Sequence, residues 1–517
     1  MSESGGNNNR SQSAEDELYS HCQSESISED GLREIIERHD NNNHMSDYDF
    51  IFFACCNKRV NEGIIQCLLE YFPNAASAIE NGWSPLHIAC DNPNVTLNII
   101  QLLIDAAPDS VRSVNNIGAM PLHDLCRNDE LDETAALEIL MLLIEKHPEA
   151  VRHENDNGAL PIHAAAAGGR SPEFCRVLIE AYPGSERISD ANDVMLLHMA
   201  CLNNTVATVE YLYKLYPDAI NHASAAGGYP IHCAIMSVDE RYDAITAIDI
   251  VEFLLNCDPN VKLQKFLGSW SLLHIACHPQ REYDDSKIET GIHIITTIYD
   301  AHPEAIDDNR VVSTIQRYHQ QVQEFLNSQL VYSRQAKDHR LMTTPDENGQ
   351  LPLHTALRNN VRLGSIKLLV KGNPPALQTP DDSGALPLHV ACQHHNSADV
   401  IQYLIGLDTT TIDAVDKEGD TALHITCRSA RHETITMLLD KYDAVSVSKR
   451  NANGKLPIDL LWDCNEVLDR DSVEYTESVF RLLTAYPETL TYVDMKQQGT
   501  SDRCSNQNGK KRKLHSV

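Results

Sequence analysis

The chain has 517 residues, of which 42% are hydrophobic, 22% charged and 6% aromatic. That is enough for about three average domains or one extended array with a buried core. Its 42 basic residues face 74 acidic ones, a formal charge of −32, and an acidic body repels nucleic acid and anionic lipid.

No apolar run approaches the roughly 18 residues of a membrane span. The opening MSESGGNNNRSQSAEDELYS has no apolar stretch after its first basic residue, so no secretory signal is expected. The fifteen cysteines are accordingly expected as thiols in a reducing compartment. A cytoplasmic location, a nuclear one, or both are expected on this basis.

In chain order, residues 1–26 are rich in Ser, Asn and Glu and read as a disordered acidic tail. Residues 27–39, ISEDGLREIIERH, read as a short helix that caps the first repeat, with Leu32, Ile35 and Ile36 on one side. One phrase then recurs: SPLHIAC (84–90), MPLHDLC (120–126), LPIHAAA (160–166), MLLHMAC (195–201), YPIHCAI (229–235), SLLHIAC (271–277), LPLHTAL (351–357), LPLHVAC (386–392) and TALHITC (421–427). Its histidines are His87, His123, His163, His198, His232, His274, His354, His389 and His424. A worn copy, LPIDLLW (456–462), puts Asp459 in the tenth place, and FIFFACC (50–56) has the apolar shape without the histidine.

Behind each phrase comes a second apolar run closed by proline, as in IIQLLIDAAP (99–108) and ILMLLIEKHP (139–148). Val95, Ile99, Leu102 and Leu103 fall on one helical face, and proline ends the helix because it lacks an N–H and clashes with the preceding turn. Glycine-containing turns such as NDNGA and DDSGA precede the phrase. Pro85, Pro121 and Pro161 suit a first helical position, whose N–H would be unpaired anyway. Each unit therefore reads as turn, short helix, longer helix and loop. A pair of about 35 residues cannot bury its own apolar face, so neighbours must stack on it.

At these residues the chain resembles the ankyrin repeat family, over roughly residues 47–493. The resemblance implies an all-α solenoid of about eleven stacked helix pairs with turns projecting along one edge, and binding rather than catalysis. The motif histidines are then structural, hydrogen-bonding within and between turns. Two features depart from the family pattern. A hydroxyl residue precedes the proline position only as Ser84, Ser271 and Thr421, and proline rather than glycine closes the second helix. A missing hydroxyl cap costs about 1 kcal/mol per helix, which apolar packing between adjacent turns is expected to offset.

The expected domains are the tail 1–26, an array over 27–306, a helical insert or degenerate repeat over 307–349, an array over 350–493 and a basic disordered tail over 494–517. His274 and His354 are 80 residues apart with no phrase between them. Ile315, Tyr318, Val322, Phe325 and Leu326 make one stripe, predicting a long helix over about 312–335. A repeat stacked in the array and a protruding helix both fit it.

Six His-x-x-Cys pairs, such as His87/Cys90 and His389/Cys392, have the spacing of two zinc ligands on one helical turn. Each lacks two further ligands, and cysteine is also a small hydrophobe, so packing is the stronger reading and no metal or cofactor is expected. No phosphate-binding loop or nucleophile motif is present, and the chain is read as not an enzyme.

The function expected is a non-catalytic protein–protein interaction scaffold, binding through the short helices and turn tips. The alternative is a passive structural or self-associating repeat protein, with metal binding a more distant one. Trp83 and Trp270 stand at tips, Tyr229 beside one, and these three are the candidate partner-binding residues. Acidity favours a basic protein partner; no nucleic acid, membrane or small-molecule substrate is expected. Lys510, Lys511, Arg512 and Lys513 form a candidate nuclear-localisation run.

Overall fold

The computed structural model describes residues 14–39, 50–80, 82–239, 244–277, 288–441, 447–463 and 473–485. Both terminal segments, with the candidate localisation run and the basic tail expectation, lie outside them. The described residues are helical throughout, apart from one two-residue hairpin and the connecting turns. The chain divides into two compact units, 1–298 and 299–517, and the described residues of each form an all-α ankyrin-type solenoid.

In the first unit each phrase forms a short inner helix: Pro85–Asp91, Pro121–Arg127, Pro161–Ala167, Leu196–Asn203, Pro230–Met236 and Leu272–Ala276. Consecutive inner helices pack side by side. Each of these helices buries the motif's apolar residues, for example Leu86, Ala89 and Cys90. Outer helices come next, among them Leu97–Ala106 and Glu133–Lys146, and each of these two stops two residues before its proline. Pro108 and Pro148 then open a short 3₁₀ turn instead of simply ending the chain's helical course.

The expected disordered tail is too long. Ala14–Gln23 is a helix packed on Glu29–His39, and it also packs on the next inner helix, Phe50–Cys56. Leu18 and Cys22 are fully buried. The polar composition up to residue 26 conceals these apolar residues, which sit four apart and meet on one helical face. The N-terminus is thus closed by a helix pair rather than by one capping helix.

In the second unit the region without a phrase folds as Asn309–Thr314, a 3₁₀ turn Ile315–Arg317, and a long helix Gln320–Lys337. The expected single helix from about 312 is interrupted at Tyr318, which is extended and followed by His319 as N-cap. The predicted stripe nevertheless faces inward: Ile315, Tyr318, Val322 and Leu326 are buried. Gln320–Lys337 packs along the outer helix Leu363–Gly372 and the turn Pro303–Asp307. It is stacked, not projecting. Its Gln329 accepts a 2.7 Å hydrogen bond from Ser365 Oγ, which lies 2.8 Å from the Tyr299 hydroxyl. Gly364 permits this approach, since a Cβ there would come within 2.5 Å of the Tyr299 ring. The inner helices Pro352–Arg358, Pro387–Gln393, Ala422–Arg428 and Pro457–Asp463 complete this unit's stack.

Candidate interaction surface

The motif histidine shapes the surface that each repeat offers. In eight copies Nδ1 accepts the backbone N–H of the residue three before it, at 2.9–3.2 Å, and so caps the inner helix. Because a backbone N–H can only donate, the ring proton must sit on Nε2. Nε2 then donates to a carbonyl of the following turn: His87 to Ala119, His123 to Ala159, His163 to Ile188, His198 to Gly228 and His389 to Ala414, each at 3.1 Å, and His424 to Lys455 at 3.2 Å. Asp459 keeps the first half of this pattern, its carboxylate accepting from Leu456 N at 3.0 Å.

This cap needs no hydroxyl, which is why Met120, Leu160, Met195 and Leu351 can stand where the family prefers threonine; all four are buried. Where hydroxyls occur they add to it: Ser84 Oγ and Thr421 Oγ1 lie 2.7 and 2.8 Å from the histidine Nδ1. Burial disfavours the imidazolium and lowers the pKa of His87, His123, His198 and His232 to about 4. In six copies both ring nitrogens are thus engaged, so neither is free for a metal. Among the described residues no three His, Cys, Asp or Glu side chains converge as a metal site. The paired cysteines behave as core: Cys90, Cys126, Cys201, Cys277, Cys392 and Cys427 are buried, and burial pushes the Cys392 thiol up to about 12.

The tips are held independently. Asn155 Oδ1 accepts from Asn157 N and Ala159 N at 2.9 and 3.0 Å, and Asn115, Asp190, Asp346, Asp381, Asp416 and Asn451 repeat the device. Gly158 completes the turn at φ +71, a left-handed conformation that costs glycine little. Adjacent tips are also joined to each other, as in Asp156 N to Ile117 O at 3.1 Å and Ala191 N to Asn157 O at 2.9 Å.

The candidate binding residues fall in two places. Trp83 is half-buried, edge-on to His87 with ring centroids 5.8 Å apart. Tyr229 and Trp270 belong to one aromatic cluster. Tyr229 meets His232 at 5.6 Å, His232 meets Phe266 at 5.6 Å, Phe266 meets Trp270 at 6.2 Å, and Trp270 meets His274 at 5.3 Å. A hairpin pairing Lys265–Phe266 with Trp270–Ser271 holds the last two rings, its turn made by Leu267 and Gly268 at positive φ.

A second set of connecting residues escaped the motif reading. Asn92 Nδ2 donates to Cys55 O at 2.7 Å, Asn128 to Cys90 O at 3.0 Å, Asn204 to Ala166 O at 3.1 Å and Asn396 to Leu357 O at 2.7 Å. Each ties the end of one inner helix to the preceding one. Their signal was an asparagine two to four residues after the phrase's cysteine, as in Cys90/Asn92, Cys126/Asn128, Cys201/Asn204 and Cys392/Asn396. At Arg170 a buried guanidinium serves instead, donating to Leu125 O at 2.9 Å and Leu131 O at 3.3 Å, with Glu133 as its ion-pair partner at 3.2 Å.

Family models agree with this architecture. Residues 315–413 match a model of ankyrin repeats in three copies, and residues 81–111 match a single ankyrin repeat. The chain contains ankyrin repeats. Such repeats are generally protein–protein interaction modules. No curated protein matches the chain. No helix among the described residues is long and apolar enough to cross a membrane.

Proposed function

We propose that this protein is a non-catalytic scaffold that binds a protein partner through its inner-helix face and its turn tips, in the cytoplasm, the nucleus or both. One observation carries the reading: the tips are ordered by side-chain caps, and neighbouring tips are hydrogen-bonded to one another. A partner therefore meets groups whose ordering entropy was lost on folding, not on binding. The formal charge of −32 supports a basic partner through long-range steering, an effect that salt weakens. The basic run at Lys510, Lys511, Arg512 and Lys513 supports the nuclear alternative.

Affinity capture from native extract with wild type and a Trp83→Ala, Trp270→Ala double variant, followed by mass spectrometry, tests this. A partner held by wild type and lost by the folded variant supports the tips. The same partner held by both moves binding to the inner helices. No partner, together with concentration-dependent self-association, overturns the reading.

A further inference from the structure

Three turn tips carry asparagine followed by glycine: Asn157 and Gly158, Asn348 and Gly349, Asn453 and Gly454. All three asparagines are exposed. Such a pair is chemically weak, because the glycine nitrogen can attack the side-chain carbonyl of the asparagine before it. Glycine has no side chain to shield that nitrogen. Among the described residues, each asparagine is engaged through its backbone only, its N–H donating to the Asx cap of its own turn at 2.9–3.1 Å. The three side-chain amides are therefore open to attack.

What differs is the freedom of the peptide plane between the two residues. That plane carries both the attacking glycine nitrogen and the asparagine carbonyl, and it must rotate for attack, so a hydrogen bond at either end resists the reaction. The nitrogen end is held alike in all three turns: Gly158 N donates to Asn155 O at 2.8 Å, Gly349 N to Asp346 O at 3.1 Å and Gly454 N to Asn451 O at 2.8 Å. At the carbonyl end, Asn157 O accepts from Ala191 N at 2.9 Å and Asn348 O from Asp382 N at 3.1 Å, both donors lying in the following tip. Among the described residues no backbone N–H donates to Asn453 O. The following tip also leans on the first two glycines. A Cβ on Gly158 would lie 2.8 Å from Ala191 N and one on Gly349 2.9 Å from Asp382 N, whereas one on Gly454 would meet nothing within 4 Å.

We propose that Asn453 is a site of spontaneous deamidation, while Asn157 and Asn348 are protected by the tips stacked on them. Gly454 N forms a bond to Asn453 Cγ and gives up its proton to solvent. The Cγ–Nδ2 bond breaks and ammonia leaves, closing a succinimide ring. Water then adds to either ring carbonyl and opens the ring to aspartate or isoaspartate. Water is the only co-reactant, nothing is oxidised or reduced, and no partner is needed. Either product adds a negative charge to the tip, and the isoaspartate route also inserts a carbon into the backbone of the turn that Asn451 caps. The missing carbonyl bond sets the selectivity: a hydrogen bond of ordinary net worth makes opening of the plane about fivefold easier where it is absent.

The test keeps the full chain at pH 8, folded and in urea, and digests samples at intervals for chromatography and mass spectrometry of the asparagine, aspartate and isoaspartate forms. In urea the three sites should convert at similar rates. In the folded chain Asn453 should convert about fivefold faster than Asn157 or Asn348. Asp382→Pro removes the N–H that holds Asn348 O, at the second position of its turn, where proline is favoured. With circular dichroism confirming the fold, it should raise Asn348 to the Asn453 rate and leave Asn157 unchanged. An Asn453 no faster than Asn157 in the folded chain overturns the proposal, as does the same ranking in urea, which would trace it to neighbouring residues and not to the tips. An Asn453 that stays intact in the folded chain while the unfolded chain converts also overturns it, and so does a folded Asp382→Pro variant with Asn348 unchanged.

Discussion

His389 spans two repeats: its Nδ1 accepts from Leu386 N at 3.1 Å while its Nε2 donates to Ala414 O at 3.1 Å. One side chain therefore caps its own helix and fastens the next turn. His232 keeps the cap at 2.9 Å but its buried Nε2 has no partner, the Phe266 ring standing beside it instead. Replacing His389 with Ala should cost about 1–2 kcal/mol, since two buried hydrogen bonds go and a carbonyl is left unpaired. His232→Ala should cost less in hydrogen bonding, as it strands one backbone donor only. Urea denaturation of the two variants decides this; equal midpoints would reject the bridging role.

The same buried rings make the array sensitive to acid. His87, His123, His198 and His232 titrate near 4 when folded and near 6.5 when unfolded. Between those values the unfolded chain binds protons that the folded chain refuses, so stability falls as pH drops from 6.5 towards 4. Each ring withdraws on the order of 2–3 kcal/mol at the acid end. Urea midpoints should be level above pH 7 and decline steeply from pH 6.5 to 5. A flat profile would mean that the rings are less buried than their geometry indicates.

The repeat register was readable because a histidine and its neighbours recur at nearly constant spacing, and most copies satisfy the same pair of hydrogen bonds. What was not readable had no such repetition. Leu18 and Cys22 are two buried residues in an otherwise polar stretch, too few to outweigh its composition. The break at Tyr318 leaves no proline or glycine as a marker, because His319 caps the new helix with its side chain. For the candidate site, the tips of Trp83 and Trp270 were visible as positions. The edge-on contacts with His87 and His274 depend on side-chain direction, which a linear pattern does not carry. Asp124 stands in its phrase as an ordinary acid, and only burial distinguishes it from a solvated one.

The long helix Gln320–Lys337 gives a sharp test of stacking. Leu326 is fully buried and lies between Val322 and Leu330, also buried. Leu326→Ala should remove about 2–5 kcal/mol, the usual cost of a core cavity. An exposed site on the same helix, Val331→Ala at 59% exposure, should change stability by no more than about 0.5 kcal/mol. Thermal and urea unfolding of both variants separates a stacked helix from a projecting one, for which the two substitutions would be equally mild.

Asp124 should behave oppositely to the histidines. Burial raises its carboxyl to about 7, with Arg127 lowering it and Asp91 raising it further. Between its ordinary 3.8 and about 7 the folded chain holds a proton that the unfolded chain has released, so this group erodes stability as pH rises through that window. Above pH 7 the full cost is present, and a neutral side chain avoids it. Asp124→Asn should therefore stabilise the protein by on the order of 1–3 kcal/mol at pH 8, less than the pKa difference alone implies because the Arg127 pair is weakened too. The gain should shrink towards pH 4, where the native carboxyl is increasingly protonated in both states. Urea unfolding of wild type and variant at pH 4, 6 and 8 measures it. A variant less stable at pH 8 would show that its ion pair with Arg127 outweighs burial.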